Sequence, residues 1–264
     1  MTVTPNTAKR KLIEGELAIG LGLRQSRTVD MAKVAKACGF DWLFVDMEHT
    51  SIDVFQAGEI CVAALDTGVT PLVRVPGHQH YHATRVLDAG AMGIVVPDVS
   101  TPEQARQIAR HCLYPPQGYR SIGGAPPQSG YAQMPVGEMM ARLNENTLLV
   151  AMLESPEAID RADEIAAVEG IDVLLIGTND FTTRCGIPGQ LGHERVEEAY
   201  REVIAVAHKH HKFAGMGGIY EETLMQKYIN LGARFVLGGG DMALLMAAAR
   251  ARVAALRAML PQDG

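Results

Sequence analysis

The chain has 264 residues, 47% hydrophobic and 20% charged, enough to bury one large core in a single unit. Its 24 basic and 30 acidic side chains leave a net charge of −6. Without a basic cluster, the electrostatics give no reason to expect nucleic acid or an anionic membrane as a partner. The opening stretch, Met1 to Lys11, is polar and lacks the apolar segment of a signal peptide. No apolar run approaches the roughly 18 residues of a membrane helix, so a soluble, cytoplasmic protein is expected. Cys38, Cys61, Cys112 and Cys185 are far apart and read as reduced thiols rather than a disulfide framework.

In chain order, the composition predicts strands at Leu17–Leu21, Trp42–Asp46, Pro71–Val75, Gly93–Pro97, Leu148–Leu153, Asp172–Gly177, Phe213–Met216 and Arg234–Leu237. Apolar runs such as Val173-Leu174-Leu175-Ile176 suit parallel strands covered on both faces. Helical patterns lie between them. Thr101-Pro102-Glu103 and Ser155-Pro156-Glu157 each place a capping side chain, an N1 proline and an acid at a helix start. Gly39 and Gly232 close other helices, and the segment from Met242 to Leu260 is rich in Ala, Leu and Met. Eight such units predict a (β/α)8 TIM barrel, one domain over residues 1–264; a doubly wound open sheet is the structural alternative. The stretch from Cys112 to Asn146 has few periodic apolar positions. It reads as a long loop, at about 112–147, over the barrel mouth.

Barrel enzymes carry their chemistry at the C-terminal ends of the strands. Here those ends run into Asp46-Met47-Glu48-His49, Arg74, Pro97-Asp98, Glu154 and Gly177-Thr178-Asn179-Asp180. His49 is the histidine directly beyond a strand and the candidate base. Arg74 ends an apolar strand, where a cation needs an anionic partner, either structural or substrate. Glu154 and Asp180 are candidate ligands for Mg²⁺, Mn²⁺ or Co²⁺, leaving positions for substrate oxygens. From spacing alone, Glu154 equally fits the N-terminus of the next helix and Asp180 a turn. His78, His80 and His82 follow Pro76-Gly77 and fall at a helix start, which removes the meaning of their alternation. The glycines of 215–218 and 238–240 fit either a phosphate site or close backbone approach, and neither group carries a Walker or dinucleotide fingerprint.

These residues stand in segments that resemble the HpcH/HpaI family of class II pyruvate aldolases. The similar segments are Gly39 to His49, Pro71 to Arg74, Leu87 to Ala91, Tyr114 to Arg120, Leu153 to Ala158 and Ile176 to Phe181, collinear from about Gly15 to the last helix. The resemblance implies a barrel whose C-terminal helix packs on a neighbouring subunit, usually in hexamers. It implies a divalent metal on Glu154 and Asp180, and a substrate carboxylate held by backbone amides near Asn179 and Asp180, on the Gly177-Thr178 loop. His49 matches the base, with Asp88 raising its basicity and Asp46 in the same network; Arg74 matches the arginine that stabilises the enolate. The implied reaction is reversible aldol cleavage of a 4-hydroxy-2-oxo acid to pyruvate, or hydroxypyruvate, and an aldehyde.

The sequence departs from the family pattern at two places. Met152 stands where some members have glutamine, and the loop from Gly22 to Arg27 differs from members that place a tryptophan near the site. Arg24 is therefore expected to help select the acceptor. A lyase acting on acyl-CoA or phosphoenolpyruvate-type substrates, and a non-catalytic binding protein on the same barrel, are the alternatives.

Overall fold

The structure is a computed structural model that describes residues 3–259. A short helix, α1 (Thr7–Ile13), precedes β1 (Ala18–Leu23), α2 (Asp30–Ala37), β2 (Trp42–Asp46), α3 (Val54–Leu65) and β3 (Thr70–Arg74). Next come α4 (His80–Asp88), β4 (Gly93–Val96), α5 (Pro102–Cys112), a 3₁₀ turn at Pro127–Ser129, α6 (Val136–Asn146) and β5 (Leu148–Leu153). The second half adds α7 (Pro156–Asp160), α8 (Ala162–Ala166), β6 (Val173–Gly177), α9 (Thr178–Arg184) and α10 (Glu194–Lys209). It closes with β7 (Phe213–Gly217), α11 (Glu222–Leu231), β8 (Phe235–Gly240) and α12 (Asp241–Arg257). The eight strands form a closed, all-parallel barrel in sequence order, so the expected (β/α)8 fold is present. The caps read from sequence hold: Thr101 and Gln104 make a capping box on α5, and the Ser155 side chain accepts from the Ala158 amide at α7.

Alternation along the strands divides the core in two. One set, including Trp42, Phe44, Leu72, Val150, Met152, Leu175 and Phe235, fills the barrel. The interleaved set, including Leu43, Val45, Val73, Leu149, Leu153 and Leu174, packs under the helices. Trp42 stacks on Phe235 with centroids 4.0 Å apart, and Gly20 makes room for it, since a Cβ there would lie 2.2 Å from the indole. The inward row runs on into the mouth: 42 and 44 continue to Asp46, 72 to Arg74, 150 and 152 to Glu154, and 173 and 175 to Gly177. The apolar parity that fills the barrel thus delivers polar residues to its open end.

The segment at 112–147 does not cover that mouth, contrary to the expectation from sequence. The Gln128 side-chain amide donates to the carbonyls of Leu87 (2.7 Å) and Ala91 (2.8 Å), and the Thr4 amide donates to the Gln128 carbonyl at 2.7 Å. Asn144 bridges the Tyr114 backbone, while Tyr114, Met139 and Leu143 share a small core with Val3. Leu87 and Ala91 follow the descent of α4 toward the start of β4, so the segment packs at the C-terminal end of α4, away from the mouth, while Ala8 and Leu12 of α1 fill that end of the barrel. Its buried amides and its own apolar cluster hold it there.

Candidate active site

At the C-terminal face lies a cavity of about 320 Å³, floored by Phe44, Met152, Leu175 and Leu237 and walled by polar residues from several strand ends. His49, Arg74, Glu154, Asp180, Asn179 and Arg24 all line it. The residues nominated by their strand-end positions therefore meet in one space. Arg74 and Asp46 are directly paired across β2 and β3. The Arg74 Nε donates to Asp46 Oδ1 at 3.0 Å and Nη2 to Oδ2 at 2.6 Å, while Nη1 lies 2.8 Å from Glu48 Oε2. Phe44 lies under the guanidinium, 5.0 Å from its ring centroid. Burial works against ionisation of Asp46, yet the hydrogen bonds and charge of Arg74, with the His49 amide and Arg24, hold its carboxyl below the ordinary range.

Glu154 is buried just beyond the end of β5. Its Oε2 accepts the Asp98 amide at 2.7 Å, which Asp98 presents from a left-handed conformation (φ 52°). The carboxyl also passes through the space of a missing side chain, because a Cβ on Gly177 would stand 2.5 Å from Glu154 Oε1. Burial pushes the Glu154 carboxyl up to about 7; the Asp98 amide opposes this, and the charges of Asp180 and Glu48 add to it. Asp98 is itself paired with Arg184. A buried acid crowded by two further carboxylates is chemically suited to a hard divalent cation. Among the described residues no three His, Cys, Asp or Glu side chains form a closed metal group. Glu154 and Asp180 would hold such an ion with positions left for oxygen ligands from outside the protein.

Two expectations about the base change. Asp88 sits at the end of α4, on the other face of the barrel, and pairs with Arg120 at 2.7 Å; within one subunit it does not reach His49. Asp46 contacts His49 through the backbone amide, at 3.2 Å, rather than through the ring. The carboxylate beside the imidazole is Glu48, with Oε2 3.7 Å from Nε2. Glu48 carried the signal of lying in the same strand-end run. The strand continuation from Leu237 to Gly240 places Asp241 at the rim, where Tyr220 also stands.

Gly215, Gly218, Gly238 and Gly239 resolve toward close approach, whereas Gly240 faces open space. Gly215 and Gly217 belong to β7, and Gly238–Gly240 to β8. A Cβ at Gly218 would meet the Asn179 side-chain amide at 2.9 Å, so that glycine lets Asn179 stand against β7. Thr178 lines the cavity, and its buried hydroxyl bonds Tyr200 and the Gly217 carbonyl. Those bonds anchor the start of α9. The histidines of 78–82 lie apart from the cavity, with His80 stacked on His111.

The family model described as HpcH/HpaI aldolase/citrate lyase matches residues 24–248. The chain belongs to this family. Its relatives include a 4-hydroxy-4-methyl-2-oxoglutarate aldolase of Hapsidospora irregularis, 38% identical over 251 residues, covering 93% of this chain and 92% of the relative. A hydroxypyruvate/pyruvate aldolase of Deinococcus radiodurans is 36% identical over 262 residues, covering 96% and 90%. Among solved structures, an HpcH/HpaI aldolase of Desulfitobacterium hafniense superposes with a TM-score of 0.91 at 29% identity, covering 97% of this chain and 98% of that one.

Proposed function

We propose that this chain is a carbon–carbon lyase that reversibly cleaves 4-hydroxy-2-oxo acids to pyruvate, or hydroxypyruvate, and a carbonyl acceptor, with a divalent metal on Glu154 and Asp180. The observation that carries this reading is the meeting of His49, Arg74, Glu154 and Asp180 in one cavity, together with aldolase relatives spanning nearly the whole chain. A bound divalent ion would draw electron density from the substrate's keto oxygen.

The protein's own groups account for the rest. In the condensation direction the half-exposed imidazole of His49 takes a proton from C3 of the donor, with the Glu48 carboxylate 3.7 Å from its Nε2. Negative charge then grows on the keto oxygen. Two hydrogen bonds to Asp46 occupy two of the five N–H groups of Arg74, and Nη1 stands beside Glu48 as an ion pair. The remaining three leave donors for that oxygen, on a guanidinium fixed before the reaction begins. Backbone amides at Asn179 and Asp180, in the first turn of α9, lack partners within the helix and suit the donor carboxylate. The apolar floor excludes water from the new carbanionic carbon.

The sequence of α12 supports a homo-oligomer, with the hexamer as the family expectation. Leu244, Leu245, Val253 and Leu256 are all exposed, and a helix this apolar on its outer side fits a subunit contact. No described helix is long and apolar enough to cross a membrane, in keeping with a cytoplasmic enzyme. The alternative of a CoA or phosphoenolpyruvate substrate is less well supplied. Arg24 and Arg74 are the lysine or arginine side chains on the cavity wall, and two carboxylates already engage Arg74.

The test is proton exchange. Chelator-treated protein with pyruvate in D₂O should lose methyl-proton signal by NMR only after Mg²⁺, Mn²⁺ or Co²⁺ is added, and Glu154→Ala should abolish the effect. Absence of exchange from both pyruvate and hydroxypyruvate with every metal would overturn the reading.

A further inference from the structure

We propose that Arg24 binds a carboxylate on the acceptor half of the substrate, so that the preferred substrate is a 4-hydroxy-2-oxo diacid with its second carboxylate on C4. This rests on the aldolase reading above and names the substrate class of the same site. In the cleavage direction the C4 hydroxyl gives its proton to His49 as the C3–C4 bond breaks. The bond's electron pair stays on C3 as the enolate, which takes a proton back from His49 to give the 2-oxo acid, and C4 leaves as a carbonyl carbon bearing the carboxylate.

The first argument is the availability of cations. Arg74 is buried and held on three sides by Asp46 and Glu48. The Arg24 side chain is 54% exposed, and its protein contact is a single bond from Nε to Asp46 Oδ2, at 3.0 Å. Its four Nη hydrogens have no hydrogen-bond partner among the described residues, in a fork shaped for bidentate carboxylate binding. Asp241, the other acid nearby, is occupied elsewhere: its Oδ2 accepts the amides of Arg24, Gln25 and Ser26 at 3.2, 2.9 and 2.6 Å. That clamp fixes the backbone under Arg24, which lowers the ordering cost of binding.

Space and a second donor lie beside it. Gly22 and Gly240 line this side of the cavity without side chains, and a Cβ at Gly240 would meet nothing within 4 Å. Tyr220 also stands on this wall. Burial raises its phenol pKa, and the charges of Arg24 and Arg74 both pull it back, so the ring lies within the field of the two guanidiniums. Its hydroxyl has no hydrogen-bond partner among the described residues and is free to donate to the same carboxylate.

The experiment compares kcat/KM for cleavage of 4-hydroxy-2-oxoglutarate with that for 4-hydroxy-2-oxopentanoate, in which methyl replaces the C4 carboxylate. The wild type should prefer the diacid, and Arg24→Gln should reduce the diacid-to-monoacid ratio by about 10- to 100-fold, the range of a hydrogen bond to a charged group. Arg24→Lys should recover part of the ratio. Because Arg24 also touches Asp46, both variants should lose some rate on both substrates; the ratio separates recognition from that shared loss. A wild-type ratio near one, or a ratio unchanged in Arg24→Gln, would overturn the proposal while wild-type pyruvate exchange still upheld the aldolase reading. Failure of wild-type exchange would overturn that reading, and this proposal with it.

Discussion

Glu154 is tied by one oxygen to the Asp98 amide, and its other oxygen lies where Gly177 has no side chain. Gly177→Ala should therefore displace the carboxylate rather than unfold the barrel. Metal-dependent pyruvate exchange is expected to fall at least about tenfold, with native-like circular dichroism. Asp46 makes the complementary case. Its carboxyl is held below the ordinary range by Arg74 against the pull of burial, so its contribution to stability is present above the unfolded value near 4 and fades as pH falls through the lower folded value. Asp46→Asn should cost about 3 kcal/mol at pH 7 by leaving Arg74 short of an anion. The gap from wild type in urea unfolding should narrow below about pH 4. A gap that stays constant down to about pH 2 would contradict the ion-pair account.

At the scale of elements, the β1–α2 connection and the start of α12 are joined by one carboxylate. Asp241 accepts from three amides of the connection and, through Oδ1, from Met242. Burial opposes its ionisation and these amides more than compensate, so it remains a carboxylate below the usual range. Asp241→Ala should destabilise the fold by about 2 kcal/mol, the loss of charged hydrogen bonds, and hydrogen exchange should quicken at residues 24–26 and at the first turn of α12. Unchanged protection at 24–26 would show that another group holds the loop. The sequence marked this connection as unusual through Arg24. It did not reveal the clamp, because Asp241 lies 217 positions away and only barrel closure between β8 and β1 brings the two together.

For the whole molecule, metal binding and assembly are the expected sources of stability beyond the core. A divalent ion at 100 times its Kd should stabilise by about 2.7 kcal/mol, raising Tm by about 5 °C or more for a domain of this size; chelation should reverse it, and Glu154→Ala should show no rise. Leu245, 62% exposed on α12, should lie in a subunit contact, so Leu245→Glu should lower the mass seen by sedimentation. An unchanged mass would place the interface elsewhere. Strand identity, helix caps and the strand-end positions of His49, Arg74, Glu154 and Asp180 were legible in the chain because they depend on local periodicity: an inward row in a parallel strand ends where the mouth begins. The segment at 112–147 was misplaced because composition reports that a connection is irregular, not which end of the barrel it lies at; Asp88, nominated by resemblance, pairs with Arg120 within the subunit. Gln128 and Arg120 decide the segment's place through contacts with α4 and its end. The pairing of His49 with Glu48, the single engagement of Arg24 and the room left by Gly177 were likewise decided only by the tertiary structure, since each depends on the distance between groups that the closed barrel brings together.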